Sequence, residues 1–132
     1  MSDIVLGFDF GNKYIGVATG QTITKTVTPL TSLKAKNGIP NPEDIKKLFE
    51  QWQPKAIIVG LPLNMDGSNQ HITFAAKKFG NRLKEQFKVP VHWVDERLSS
   101  WEAKNNNPNS FDELNADAAA IILQQWLNSN TA

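Results

Sequence analysis

Three acidic positions interrupt apolar surroundings in this sequence, and they are where chemistry would sit. Asp9 lies inside the apolar run 4–10 (IVLGFDF), where an unpaired ionised carboxylate is costly to desolvate. Such a residue is paired, caps a turn or holds a metal. A strand-end Asp bonded to the amides around Gly11 and Asn12 accounts for it equally well. Asp95 and Glu96 follow the apolar segment 91–94 (VHWV), at the C-terminal end of a strand, where ligands gather in α/β sheets. Alternation sends their side chains to opposite faces. One can serve a site while the other pairs with Arg97, and the residues alone do not choose; a surface salt bridge is the plainer account. Asp117 precedes three alanines in a helical segment and falls about 40° from Ile121, at the margin of the buried face. An acid in the first helical turn, favoured by the helix dipole, is the plainer account there.

Taken together, the three acids suggest a site. Carboxylates on a strand, a strand end and a helix start can converge across a sheet, and they repel one another unless cations intervene. The chain has no Cys, so thiolate sites are excluded, and hard oxygen ligands select Mg²⁺ or Mn²⁺. Two such ions about 3.5–4 Å apart activate a water and stabilise the leaving oxygen in phosphodiester cleavage. His71 and His92 lack a metal-ligand spacing, and His92 reads as a structural strand residue.

The elements that must position these acids follow from periodicity. Residues 4–10 and 14–19 read as two strands of a hairpin closed by Gly11-Asn12-Lys13, and the Thr/Val-rich residues 23–30 as a third, edge-like strand. Asn41-Pro42-Glu43-Asp44 is a helix start, with a capping Asn, Pro in the first turn and two acids at the positive dipole end. Ile45, Leu48, Phe49 and Trp52 then form one apolar stripe, which Pro54 ends. Residues 56–59 are a buried strand and 60–68 a loop; a long helix from about Asn69 to Phe87 buries Ile72, Ala76, Phe79, Leu83 and Phe87. Residues 91–94 form another strand, 102–110 an Asn-rich loop, and 111–127 the last helix. The fold class is therefore α/β: a mixed sheet of about five strands flanked by helices. The alanines after Asp117 would let the last helix lie close to the sheet, and Gly16 and Ala18 would allow close packing over the hairpin. Trp52, Trp93 and Trp126 fit core positions, while Trp101 follows the 91–94 strand and can stack a base.

A length of 132 residues corresponds to about one domain, here taken as residues 1–132, with 40% hydrophobic and 20% charged residues. No basic-then-apolar leader opens the sequence and no apolar run nears a membrane span, so a cytoplasmic protein is expected. The formal charge of +1 requires that any nucleic-acid surface be local.

Four ordered motifs spanning essentially the whole chain resemble the bacterial Holliday-junction-resolvase-like proteins, also described as pre-16S ribosomal RNA nucleases. They are GFDFGNKYIGVA at 7–18, IIVGLPLNMDGS at 57–68, DERLSS at 95–100 with Glu102-Ala103 behind it, and DAAA at 117–120. The resemblance implies a ribonuclease H-like fold and a Mg²⁺- or Mn²⁺-dependent endonuclease with Asp9, Glu96 and Asp117 as catalytic metal ligands, favouring Glu96 over Asp95. It implies maturation of the 5′ end of 16S ribosomal RNA, with four-way DNA junction resolution as the alternative; the latter calls for a homodimer, whose face is not evident in the sequence. Asn64, Arg97 and Ser99 fall within the motifs as candidate substrate contacts. Arg97 can clamp a phosphate bidentately, although the 60–68 loop also reads simply as a β-to-α connection whose Gly, Pro and Asn set its turns. The segment 110–116 (SFDELNA) is acidic where family members usually carry basic residues, so Asp112 or Glu113 can repel phosphate. That keeps a non-catalytic nucleic-acid-binding module open. An actin-like nucleotide-binding module also opens on an Asp-x-Gly hairpin, but 132 residues leave no room for its second lobe.

Overall fold

The computed structural model describes residues 3–62, 66, 71–95 and 111–129, the side chains of 111–114 excepted. Most of the 60–68 loop, the expected helix start at Asn69 and the 102–110 segment lie outside these residues. In chain order the elements are β1 (Ile4–Asp9), β2 (Tyr14–Gln21), β3 (Thr26–Lys36), β4 (Ile39–Pro40), α1 (Pro42–Trp52), β5 (Ala56–Leu61), α2 (His71–Phe87), β6 (Val91–Asp95) and α3 (Phe111–Ser129). One six-stranded sheet has the order β4-β3-β2-β1-β5-β6. The β1–β2–β3–β4 half is antiparallel, and β1, β5 and β6 run parallel. Among the described residues, no helix is long and apolar enough to cross a membrane.

The expected element order holds, with two corrections. The sheet has six strands rather than about five, because Asn37 and Gly38, at φ of 53° and 80°, turn the chain back and pair Ile39 and Pro40 with Lys36 and Ala35. The third strand occupies 26–36, not 23–30. β2 runs on to Gln21, which pairs with Thr26, and residues 22–25 close the hairpin. Lys25 sits there at φ 56°, its N–H donating to the Gln21 carbonyl at 2.9 Å. Thr-rich composition signals a strand but does not say where the hairpin must turn.

The sheet separates two cores. On one face Leu6, Phe8 and Phe10 of the β1 segment join Ile57 and Val59 beneath α1 and α2, which contribute Ile45, Leu48, Phe49, Ala76, Phe79 and Leu83. Asn41 caps α1, its Oδ1 accepting from the Glu43 N–H at 3.0 Å, and Gln53 closes it in a left-handed conformation, so the α1 stripe forms as its pattern demands. The Phe49 and Phe87 rings stack at 3.8 Å and tie α1 to α2.

On the other face Val5, Ala18, Ile58 and Val94 pack under α3 through Ala119, Ala120, Ile122 and Leu123. Small residues let α3 lie against the strands. A Cβ on Gly16 would stand 1.9 Å from the Asn115 carbonyl oxygen, and one on Gly7 2.9 Å from the Leu123 Cβ. The close approach of the last helix expected from the alanine run is present, and the close packing expected over the hairpin at Gly16 is made by that helix. α3 therefore runs antiparallel to β1, its 115–116 backbone over Gly16 and its Leu123 over Gly7 and Gly20.

Candidate active site

Asp9 is the last residue of β1, a central strand, and is only 9% exposed. Its face follows from its neighbours. Leu6 and Phe8 point into the α1/α2 core, whereas Val5 and Gly7 meet α3, so Asp9 shares the α3 face. Its partner across β2 is Gly16, the position pressed against the Asn115 carbonyl. The row continues to Ser32 on β3, which pairs with Gly16. The Ser32 Oγ is buried and has no hydrogen-bond partner among the described residues. A short, side-chain-free gap beside Asp9 is thus filled by the backbone of α3 just before Asp117.

Asp117 is half-buried and is the seventh residue of α3. It stands beyond the first helical turn, where the dipole favours acids, so the dipole does not account for it. Its flanking residues Ala116 and Ala118 are both buried. The helix thereby carries an acid on its flank at the same end of the sheet as Asp9.

Asp95 is excluded from this arrangement by its face. It is the last residue of β6 and pairs with Leu61 of β5. Leu61, Val91 and Trp93 all pack against the α1/α2 core, whereas Val94 belongs to the α3 core. Asp95 therefore stands on the side of the sheet opposite Asp9. Among the described residues, which do not include Glu96, no group of three His, Asp or Glu residues could hold a metal. Glu96, Arg97, Ser99, Asn64 and Trp101 lie outside the described residues. His92 is exposed on β6, its ring tilted against Trp126 at 5.0 Å, in keeping with a structural role.

Two features had no motif to announce them. The fully buried Thr73 of α2 donates its hydroxyl to the Pro62 carbonyl, fastening the exit of β5 to the following helix. The second is a charge pattern. The stretch 10–41 holds Lys13, Lys25, Lys34 and Lys36 and no Asp or Glu. The whole chain is +1, so everything outside that +4 stretch sums to −3. The signal was present in the sequence as a missing residue type rather than as a motif.

Comparison with known proteins agrees with this architecture. The RuvX family model, described as Holliday junction resolvase, matches residues 3–129. A protein of Hydrogenovibrio crunogenus named "Putative pre-16S rRNA nuclease" is 47% identical over 126 residues, covering 96% of this chain and 94% of its own. A protein of the same name from Nitrosococcus oceani is 50% identical over 130 residues, covering 94% and 86%. Among solved structures, Thermus thermophilus RuvC in complex with a Holliday junction substrate superposes with a TM-score of 0.59 at 16% identity, covering 98% of this chain and 96% of that one. Fowlpox virus resolvase in complex with Holliday junction DNA gives 0.58 at 12%, covering 98% and 99%. The structural likenesses establish a resolvase-type, ribonuclease H-like fold, and the sequence relationships establish that the chain belongs to the RuvX family.

Proposed function

We propose that this protein is a divalent-metal-dependent endonuclease that hydrolyses phosphodiester bonds during maturation of the 5′ end of pre-16S ribosomal RNA in the cytoplasm, with Asp9, Glu96 and Asp117 as its metal ligands. The observation that carries the reading is Asp9 itself. It is a carboxylate 9% exposed at the end of a central strand, on the face where the backbone preceding Asp117 closes over Gly16. Burial of an acid at that depth is costly unless a cation or strong donors balance it. The names carried by relatives at 47% and 50% identity support the substrate.

The donor set fits a hard cation: it is all oxygen, and the chain holds no Cys to compete. Asp9 and Asp117 would hold Mg²⁺ or Mn²⁺ from the strand and helix sides. Asp95 faces the other core, which is in keeping with Glu96 as the third ligand. When bound, the metal supplies Lewis-acid activation of water and neutralises charge on the leaving oxygen. The residues' own contribution is to fix the ligands on rigid elements: Asp9 on a strand paired on both sides, Asp117 on a helix seated on glycine. Arg97, Asn64 and Ser99 are the proposed substrate contacts.

A second reading, resolution of four-way DNA junctions, is favoured by the family model's description and by the two resolvases whose folds superpose on this chain. It would require a symmetric dimer to cut two strands. Both readings are tested by incubating the protein with a pre-16S RNA fragment and, separately, with a four-way DNA junction, in Mg²⁺ or Mn²⁺. RNA cut near the mature 5′ end, with the junction left intact, is the expected result. Asp9→Asn should abolish cleavage while leaving the circular dichroism spectrum and melting temperature unchanged or raised. Full activity in that variant would sink the assignment.

A further inference from the structure

The basic stretch 10–41 takes on meaning through its register. On β3, Leu33 is buried in the α1/α2 core and Ala35 packs against it, so Ser32, Lys34 and Lys36 share the opposite face, that of Asp9. Ser32 lies level with Gly16 and Asp9, and Lys34, level with Tyr14, continues beyond that row past the active end of the sheet. Strand spacings of about 4.8 Å and rises of about 3.3 Å put the Lys34 and Lys36 Cα atoms roughly 12 Å and 16 Å from that of Asp9. Lys13 stands beside them, its carbonyl accepting from the Ala35 N–H at 2.8 Å. All three lysines are exposed, and among the described residues none forms an ion pair. No acid occurs anywhere from Phe10 to Asn41, so the ridge lysines have no acidic neighbour within their own stretch of chain.

We propose that Lys34 and Lys36, flanked by Lys13, form a ridge that holds the phosphate backbone of the nucleic-acid substrate on its way to Asp9. The proposal rests on reading Asp9 as the cleavage centre. With a rise of about 3.4 Å per nucleotide in a stacked strand, the ridge meets phosphates roughly four to five steps from the cut. It supplies the positive charge that the acidic segment 110–116, next to Asp117, does not. Lysine suits this task because a phosphate contact needs a point charge and carries no base information.

The test is the salt dependence of binding. A fluorescein-labelled pre-16S RNA fragment is titrated with the full chain in an Asp9→Asn background, by anisotropy, across a salt series. Each phosphate contact contributes about 0.7 to the slope of log K against log salt for single strands and about 0.9 for duplex. The Lys34→Ala/Lys36→Ala pair is expected to reduce the slope by about 1.4 to 1.8 and to weaken binding at 0.1 M salt by about 30-fold. Lys25→Ala, a charge loss in the same stretch but in the turn at the far end of the sheet, should leave the slope unchanged. Two results would overturn the ridge. One is equal slope loss in the Lys25 variant, meaning net charge alone. The other is an unchanged slope with aggregation of the double variant, meaning that the lysines only guard an outer strand against pairing. Cleavage plays no part in this readout, so the ridge and the nuclease assignment fail separately.

Discussion

Gly16→Ala offers the sharpest test of how the site is assembled. The added Cβ would stand 1.9 Å from the Asn115 carbonyl oxygen, 2.3 Å from its carbon and 3.1 Å from the Ala116 nitrogen. All three are backbone atoms, so no side-chain rotation relieves the clash. Ordinary contact begins at 3.4 Å, so α3 must retreat by roughly 1.5 Å at Asn115, two residues from Asp117. Overpacking of this kind costs about 1–3 kcal/mol. A displacement of about 1 Å in a catalytic group costs about 10²-fold in rate. The expected variant therefore melts several degrees lower but, assayed well below its midpoint, cleaves about 100-fold more slowly per folded molecule. Gly20→Ala is the control. Its Cβ would meet the movable end of Leu123 at 2.9 Å and the Thr26 oxygen at 3.2 Å, at the opposite end of the sheet. It should lose some stability and no specific activity. Wild-type kcat in Gly16→Ala, or an equal rate loss in Gly20→Ala, would refute the claim that Gly16 sets the position of Asp117.

Two further perturbations separate ligand from scaffold. Glu96→Gln should lower Mn²⁺ affinity, measured by calorimetry, and cleavage by about 100-fold or more, whereas Asp95→Asn, on the opposite face, should change each by less than about threefold; the reverse ranking would mean that β6 presents its other acid to the metals. Thr73→Val leaves the Pro62 carbonyl without its donor and should cost about 1–3 kcal/mol in urea denaturation, and no measurable change would mean that the carbonyl finds another partner.

How far the residues announce this arrangement depends on the range of the interaction that decides each point. The α1 cap at Asn41 and its stripe of Ile45, Leu48 and Phe49 are local, and the folded chain realises them as the pattern predicts. The face of Asp95 was undecided because strand alternation alone gives no absolute sense. That sense comes from Leu61, which belongs to another strand. The dipole account of Asp117 fails because α3 already begins at Phe111. β3 was misplaced because the extent of β2 is fixed by pairing with β1, where Ile4 meets Gln21, and not by Thr content. Thr73 escaped notice because its partner is 11 residues away across a loop.

The distribution of charge bears on how the substrate and the metal depend on each other. Under the proposed assignment Asp9, Glu96 and Asp117 act together, with Asp112 and Glu113 close to Asp117 in sequence, while among the described residues Lys34 on β3 stands roughly 12 Å from Asp9. A polyanion meeting that surface gains at the ridge and loses at the acids. Cations held by the acids reverse the second term, because a divalent ion is the largest local charge in such a site. If both proposals hold, metal binding and substrate binding would be coupled, and reciprocally so: RNA seated on the ridge should raise the affinity for the ions by the same factor by which the ions raise the affinity for RNA. On this reading a near-neutral chain would handle a polyanion by segregating its charge, with the proposed cationic ridge for the backbone and an acidic end that accepts phosphate once it is loaded.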